Sequence, residues 1–266
     1  MNLLCPLCGR ALTARDRRYV CAENHSFDIA RQGYVNLLTV QQKHSRHPGD
    51  TQQQVLCRRE FLEAGFYAPI AQTLIDTARQ LEVSGPVLDV GCGEGYYSTR
   101  LARELGLPLT GLDISKDAVR CAAGKYKDAQ WLCATASHIP VQSEQAGLIL
   151  SLFALTEPAE FRRILRPEGY FFQVLAAQDH LLGLKGIIYD TLRLKEKDTQ
   201  PEFDGFERVA SIPIRFSFTV EGAQVQNLLA MTPHLFRISK AGAQRLAQTQ
   251  TLTDTASCML NVFRPC

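Results

Sequence analysis

The 266-residue sequence predicts an α/β fold: a mostly parallel, seven-stranded sheet covered by helices on both faces, behind a small N-terminal module. Three observations predict it. From about residue 59 onward, short apolar runs alternate with stretches of helical periodicity, as in a parallel sheet with crossover helices. The first apolar run enters a loop with three glycines, and a helical stretch follows. The first 25 residues hold three cysteines and a histidine, a set that a sheet core does not need.

The elements follow in order. Residues 61–81 place apolar side chains at helical spacing. PVLDVG (86–91) is too short for a buried helix and reads as a strand. YYSTRLAREL (96–105) is a helix, PLTGLDIS (108–115) a strand and turn, and KDAVRCAAGKY (116–126) a helix. AQWLCATA (129–136) and AGLILSLFAL (146–155) are strands. PAEFRRILRPEG (158–169) reads as a helix closed by its glycine, and YFFQVLA (170–176) as a strand. Residues 180–196 form a helix, 209–220 a strand, 221–231 a helix and 256–264 the last strand. The closing strand-helix-strand stretch suits an antiparallel hairpin at one edge of the sheet. The expected division is a metal-binding module over 1–35, a polar connector over 36–58 and the α/β domain over 59–266.

No window approaches the roughly 20 apolar residues that span a bilayer, and no apolar stretch opens the chain, so the cytoplasm is the expected compartment and no membrane partner is expected. Nine cysteines at scattered spacing do not make a disulfide framework. In a reducing compartment a close set is a metal site, and isolated ones are small core residues.

The glycine loop runs Asp89-Val-Gly91-Cys-Gly93-Glu94-Gly95-Tyr-Tyr97-Ser98. Glycine lets the main chain turn tightly and a ligand approach it closely. Asp113 ends the next strand, 22 residues after Gly91, where nucleotide-binding α/β folds place a carboxylate on ribose hydroxyls. The spacing is Gly-x-Gly-x-Gly, not the dinucleotide Gly-x-Gly-x-x-Gly, and Glu94 would repel a pyrophosphate. S-adenosyl-L-methionine, with a sulfonium, an amino group, a ribose and no phosphate, suits the loop better. A phosphate-bearing nucleotide and a ligand-free glycine turn are the competing readings. Ser137 and His138 follow the third strand, beside the expected adenine position. The cofactor-binding set is therefore Asp89, Gly91, Gly93, Glu94, Gly95, Tyr97, Ser98, Asp113, Ser137 and His138.

Cys5-x2-Cys8-x12-Cys21-x3-His25 has the spacing of a tetrahedral Zn2+ site. A module this small cannot bury enough apolar surface to fold alone, so the metal is structural. Iron, or four unrelated residues, are the other readings. Residues 1–60 carry nine Lys or Arg and five acids, a local charge of +4 within a chain of net +2. Arg15, Arg17 and Arg18 lie between the ligand pairs, placed to grip phosphates, although a solvated surface has the same composition.

With both sites present, the sequence resembles the bacterial 23S ribosomal RNA guanine-N1 methyltransferases. Cys5-Pro-Leu-Cys8, QGYVNLL (32–38), Pro48-Gly-Asp50, the loop over 89–97, LKGIIY (184–189) and Met231-Thr-Pro233 carry the resemblance. It implies a class I, Rossmann-like methyltransferase domain and methylation of N1 of a guanine in a hairpin loop of 23S rRNA. It implies a homodimer whose zinc modules help form the RNA cleft. It adds Tyr67 and His180 to the cofactor contacts, although Tyr67 by itself reads as a core residue on a helix face. The other functions weighed are a small-molecule methyltransferase and a zinc-containing RNA-binding protein without catalysis. Phe153, Tyr97 or Tyr67 could stack on the acceptor base, with core packing the plainer role for Phe153. No catalytic base is assigned, because His180 and Glu94 fit cofactor binding better.

Overall fold

A computed structural model describes residues 1–43, 45, 48–192 and 196–266. Three short strands, β1 (Thr13–Arg15), β2 (Arg18–Val20) and β3 (Ser26–Asp28), form an antiparallel ribbon. The ribbon docks on the main body through its first residues. Leu3 bridges Val141, and the Leu4 N–H donates to the Pro140 carbonyl at 2.9 Å. Leu3, Cys5, Leu12 and Cys21 are buried in one apolar cluster with Val35, Leu132 and Val141.

The remaining strands are β4 (Tyr34–Asn36), β5 (Val87–Val90), β6 (Leu109–Asp113), β7 (Gln130–Cys133), β8 (Ala146–Leu152), β9 (Leu165–Ala176), β10 (Phe206–Glu221) and β11 (Thr251–Pro265). They form one sheet in the order β10-β11-β9-β8-β5-β6-β7-β4. From β9 to β4 every pairing is parallel, and β11 is antiparallel to both neighbours. The strand order reverses between β5 and β8, and ligands bind α/β sheets at such a switch, beyond the carboxyl ends of the strands. The central strands β5 and β8 are buried at every residue, which is why they read as unbroken apolar runs.

The helices are α1 (Gln52–Glu63), α2 (Ala68–Gln80), α3 (Tyr96–Leu105), α4 (Lys116–Lys125), α5 (Pro158–Ile164), α6 (Leu182–Ile188), α7 (Ala223–Ala230) and α8 (Lys240–Gln248). No helix among the described residues is long and apolar enough to cross a membrane.

Several expectations change. The sheet has eight strands rather than seven, because Tyr34–Asn36 adds a parallel edge strand beside β7. Three residues carry too little periodicity to announce a strand; the open edge of β7 supplies the pairing. The helix expected over 61–81 is two helices, parted at Gly65 (φ +86°), with Pro69 in the first turn of α2. α1 starts at Gln52, inside the expected connector, with Thr51 and Gln54 exchanging capping hydrogen bonds. Gly169 does not close α5: the helix stops at Ile164, and β9 runs through the glycine alongside β8. α6 is seven residues long; residues 193–195 of the helix expected over 180–196 lie outside the described residues, as do 44, 46 and 47 of the connector. α8 has no periodicity that announces it; its apolar side is narrow, with only Leu246 and Gly242 buried.

Candidate active site and metal centre

Cys5 and Cys8 flank a tight turn closed by the Gly9 N–H, which donates to the Cys5 carbonyl at 2.8 Å. Cys21 and His25 flank the turn between β2 and β3. Their ligand atoms, with those of Cys5 and Cys8, all lie within 4.8 Å of one another. His25 Nδ1 is 3.5 Å from both Cys5 Sγ and Cys21 Sγ, and Cys8 Sγ is 3.7 Å from Cys21 Sγ. Tetrahedral zinc, with Zn–S about 2.3 Å and Zn–N about 2.0 Å, holds its ligand atoms about 3.5–3.8 Å apart. The set therefore fits the ion, and four protein ligands leave no position for a substrate.

The glycine loop lies between β5 and α3, at the carboxyl end of the central strand. Gly91 and Gly95 have φ of +80° and +84°, in the left-handed region that glycine adopts without steric cost. Each also excludes a side chain on contact grounds. A Cβ on Gly95 would lie 2.5 Å from the Trp131 ring, and one on Gly91 2.5 Å from the Ala154 Cβ. Trp131 is buried in β7 and donates its indole N–H to the Tyr126 carbonyl at 2.9 Å, so it cannot yield.

The loop opens onto a cleft of about 510 Å³, within the range of small-molecule sites. Gly91, Gly93, Glu94, Asp113 and Ser137 line it. Asp113 accepts the Gly93 N–H at 2.9 Å on one oxygen and the Ser115 N–H at 2.8 Å on the other. A carboxylate has about four acceptor sites, so each oxygen keeps one for a ribose hydroxyl. Glu94 is 2% exposed, and neither of its oxygens has a partner among the described residues. Burial pushes its carboxyl up to about 7, against Lys125, Arg59 and Arg58, whose charges pull it down. An orphaned acid beside a bare main-chain cradle fits a cationic ligand without phosphate. Asp89 and Tyr97 line a narrow extension of the cleft with Arg58 and Met231. Burial likewise pushes Asp89 up to about 7.

The other expected residues lie outside the cleft lining. Gly95 is packed under Trp131, and Ser98 is fully buried in α3. His138 is exposed beside Ser137. Tyr67 is 2% exposed at the start of α2, with the rings of Phe61 and Phe218 centred 5.0 and 5.6 Å away. Its hydroxyl meets His180 Nε2 at 3.4 Å. His180 Nδ1 accepts the Ser257 N–H at 3.1 Å, and burial lowers the imidazole to about 4. The ring is therefore neutral at pH 7, with its proton on Nε2 facing the Tyr67 oxygen. His180 touches the cleft lining through the Phe153 ring, 6.2 Å between centroids.

Gly49, Asp50 and Arg58 line the cleft without having been assigned a role from sequence. The Asp50 carbonyl accepts the Ser115 hydroxyl at 2.6 Å, and the Asp50 carboxylate pairs with Arg58 at 2.5 Å. The segment thus crosses beside Asp113 and joins α1 to the turn after β6. Pro48-Gly-Asp50 carried part of the family resemblance, and that was its only signal in the sequence.

Comparison with known proteins agrees with this geometry. The family model described as RlmA, N-terminal, matches residues 3–46, and a methyltransferase domain model matches residues 87–169. A solved structure of a provisionally assigned type II methyltransferase from Anaeromyxobacter dehalogenans aligns with a TM-score of 0.51 at 19% identity, covering 71% of this chain and 95% of that one. It shares the fold. The 23S rRNA (guanine(748)-N(1))-methyltransferase of Streptomyces fradiae is 33% identical over 99% of this chain and 96% of its own length. A Micromonospora griseorubida protein, assigned provisionally as a 23S rRNA (guanine-N1)-methyltransferase, is 31% identical over 99% of this chain and 97% of its own. The methyltransferase domain is S-adenosylmethionine-dependent, and the ribbon holds a structural zinc site. This chain belongs to the 23S rRNA (guanine-N1)-methyltransferase family.

Proposed function

We propose that the protein methylates N1 of a guanine in a hairpin loop of 23S rRNA. The observation that carries the reading is similarity to the Streptomyces fradiae enzyme across both the zinc ribbon and the catalytic domain. A small-molecule methyltransferase would leave the ribbon without a task.

When bound, S-adenosylmethionine supplies a methyl group activated by its sulfonium. The chain's contribution is placement and charge. Gly91 and Gly93 present bare main chain to the cleft, and Gly95, assigned to the same cofactor, lets the loop pack under Trp131; Asp113 offers two acceptor positions to a ribose; Glu94 and Asp89 set negative charge beside the loop. Tyr97, Ser98, Ser137 and His138 are assigned to the same cofactor, and Tyr67 and His180 stand behind Phe153 as its support. Guanine N1 lies on the pairing edge and carries a proton at neutral pH, so the base must be unpaired and the proton removed. A hairpin loop lowers the cost of exposing it. Exposed Arg15, Arg17 and Arg18 on the ribbon are placed to hold RNA phosphates. A homodimer and a cytoplasmic location follow from the family resemblance.

The purified protein, given labelled cofactor and protein-free 23S rRNA, is expected to methylate one guanine. A reverse-transcriptase stop will locate it, since N1 methylation blocks pairing. Label appearing only in small molecules of a metabolite extract would overturn the reading.

Burial of Glu94 makes cofactor binding depend on pH. Its folded pKa is raised above the free value, so for this group folded-state stability is greatest below about 4.5 and declines as pH rises toward 7. A cationic ligand needs the ionised form, so binding releases a proton. Cofactor affinity is expected to rise about tenfold between pH 6 and pH 8. Calorimetry in buffers of different ionisation enthalpy measures the released proton. Glu94→Gln should lower the slope and leave the contribution of Asp89, which titrates over the same range, and a wild-type affinity independent of pH would refute the charge role.

A further inference from the structure

The segment Met231-Thr-Pro233 carried part of the family resemblance, yet only Met231 reaches the cleft, at its narrow extension. The segment leads into a 3-10 turn (Pro233–Phe236) between α7 and α8. Leu235 and Ile238 pack against the core. The two residues between them, Phe236 and Arg237, are therefore turned outward, and Phe236 is 76% exposed. Tyr189 and His234 Nδ1, 2.9 Å apart, tie the turn to the end of α6. Positive charge collects here. Between Glu221 and Asp254 no acid occurs, and the stretch holds Arg237, Lys240 and Arg245. Arg245 is engaged by Asp190 at 2.8 Å and by the Ile187 carbonyl at 2.7 Å. Arg237 and Lys240 are exposed, with no carboxylate in ion-pair range among the described residues. Burial, then the charges of Lys185, Lys197 and Arg237, hold the His234 imidazole below its usual value. Lys185 and Lys197 act in the same way on His180, whose ring lies beside Phe153, so the basic surface begins at the edge of the cleft. Glu196 and Asp198 flank Lys197, which leaves Arg237 and Lys240 as the main cations. The ribbon sits on the other face of the sheet: Leu3 and Cys5 cluster with Ile149, whereas Leu235 and Ile238 pack on the cluster of Leu148 and Leu150.

We propose that the 236–240 segment is an RNA-binding surface of the catalytic domain, in which Arg237 and Lys240 hold backbone phosphates and Phe236 stacks on an unpaired base outside the cleft. The proposal rests on the reading of 23S rRNA as substrate. It goes beyond it by giving the RNA a second hold, on the face of the sheet opposite the ribbon. Charge selects the occupant, because every phosphate of the backbone carries a negative charge and this surface offers cations without acids. An exposed phenylalanine alone is ordinary. Beside two cations at the edge of a cleft, it completes the pairing of basic and aromatic side chains that single-stranded nucleic acid binds.

Anisotropy of a fluorescein-labelled 23S rRNA hairpin transcript, titrated with the full-length zinc-loaded protein over a range of salt, tests this. One phosphate contact contributes a salt exponent of about 0.7–0.9, so its loss should weaken binding about five- to eightfold near 0.1 M salt. Arg237→Ala should show that loss and a salt slope shallower by the same exponent, and Arg237→Lys should restore both. Phe236→Ala should weaken binding about fivefold with the slope unchanged, because stacking releases no counterions. Phe236→Tyr should bind like wild type. In all four variants the S-adenosylmethionine Kd, kcat at saturating RNA and the thermal midpoint should keep their wild-type values. Wild-type RNA affinity in either Ala variant overturns the proposal, and so does a cofactor affinity that falls in step with RNA binding. A change of oligomeric state by sedimentation in Phe236→Ala also overturns it, by making the surface a contact between two copies. A wild-type protein that binds the hairpin but methylates no guanine overturns only the guanine reading, and one that does not bind the hairpin overturns both.

Discussion

Cys8→Ser is expected to release the zinc and, with it, the ribbon that β1, β2 and β3 form. Ring-to-sulfur and sulfur-to-sulfur distances of 3.5–3.7 Å leave this set no alternative ligand. Among the described residues, no other group of three or more metal-ligating side chains comes together. Loss of even an outer partner of a ligand typically weakens a metal site 10- to 100-fold, so loss of a ligand should exceed about 100-fold. The ribbon strands carry exposed or half-buried side chains at every position, so little apolar burial remains to hold them. Atomic absorption should find almost no metal, and rRNA methylation should fall steeply. The cleft is built on β5, β6 and β8, on which the ribbon strands have no pairing, so the cofactor Kd should move by less than about threefold. A variant that retained both metal and methylation would refute the structural role of the site.

Asp113→Ala should weaken cofactor binding about 100-fold or more. The side chain anchors two main-chain N–H groups, those of Gly93 and Ser115, and hydrogen bonds to a charged acceptor contribute about 1.5–3 kcal/mol each. Its removal frees the glycine loop as well as deleting the ribose acceptor. Asp113→Asn keeps one acceptor oxygen but turns an NH2 toward the other N–H, so an intermediate loss of about tenfold is expected. Zinc content should be unchanged in both. Unaltered affinity in the Ala variant, measured by calorimetry, would show that the carboxylate does not hold the cofactor.

The parts of this protein legible in the sequence are those written in short-range chemistry. The zinc set is contained within 21 consecutive residues, because two tight turns bring the ligands together without help from the rest of the chain. The glycine loop and Asp113 are legible for a related reason: β5 and β6 are adjacent and parallel, so their carboxyl ends must meet. α3 begins and ends where Tyr96 and Leu105 place it, between a left-handed Gly95 and a left-handed Gly106. Helix boundaries failed where context overrode propensity. The run after Ile164 reads as helix, yet the open edge of β8 captures it as strand.

The features invisible in the sequence depend on partners far apart along the chain. Tyr67 meets His180 across 113 residues, Asp50 meets Ser115 across 65, and Tyr34–Asn36 becomes a strand only because β7 offers an unpaired edge. The outward turn of Phe153 is of the same kind, since its residue type suggests burial, and the turn after β8, held by the Val174 carbonyl with Ala154 beside Gly91, sets it at the cleft. The chemistry, a donor cradle and a metal knuckle, is readable in the linear order of residues, because residue type and spacing suffice for each. The fold decided which face of that chemistry is open, because exposure is a property of packing and no single segment encodes it.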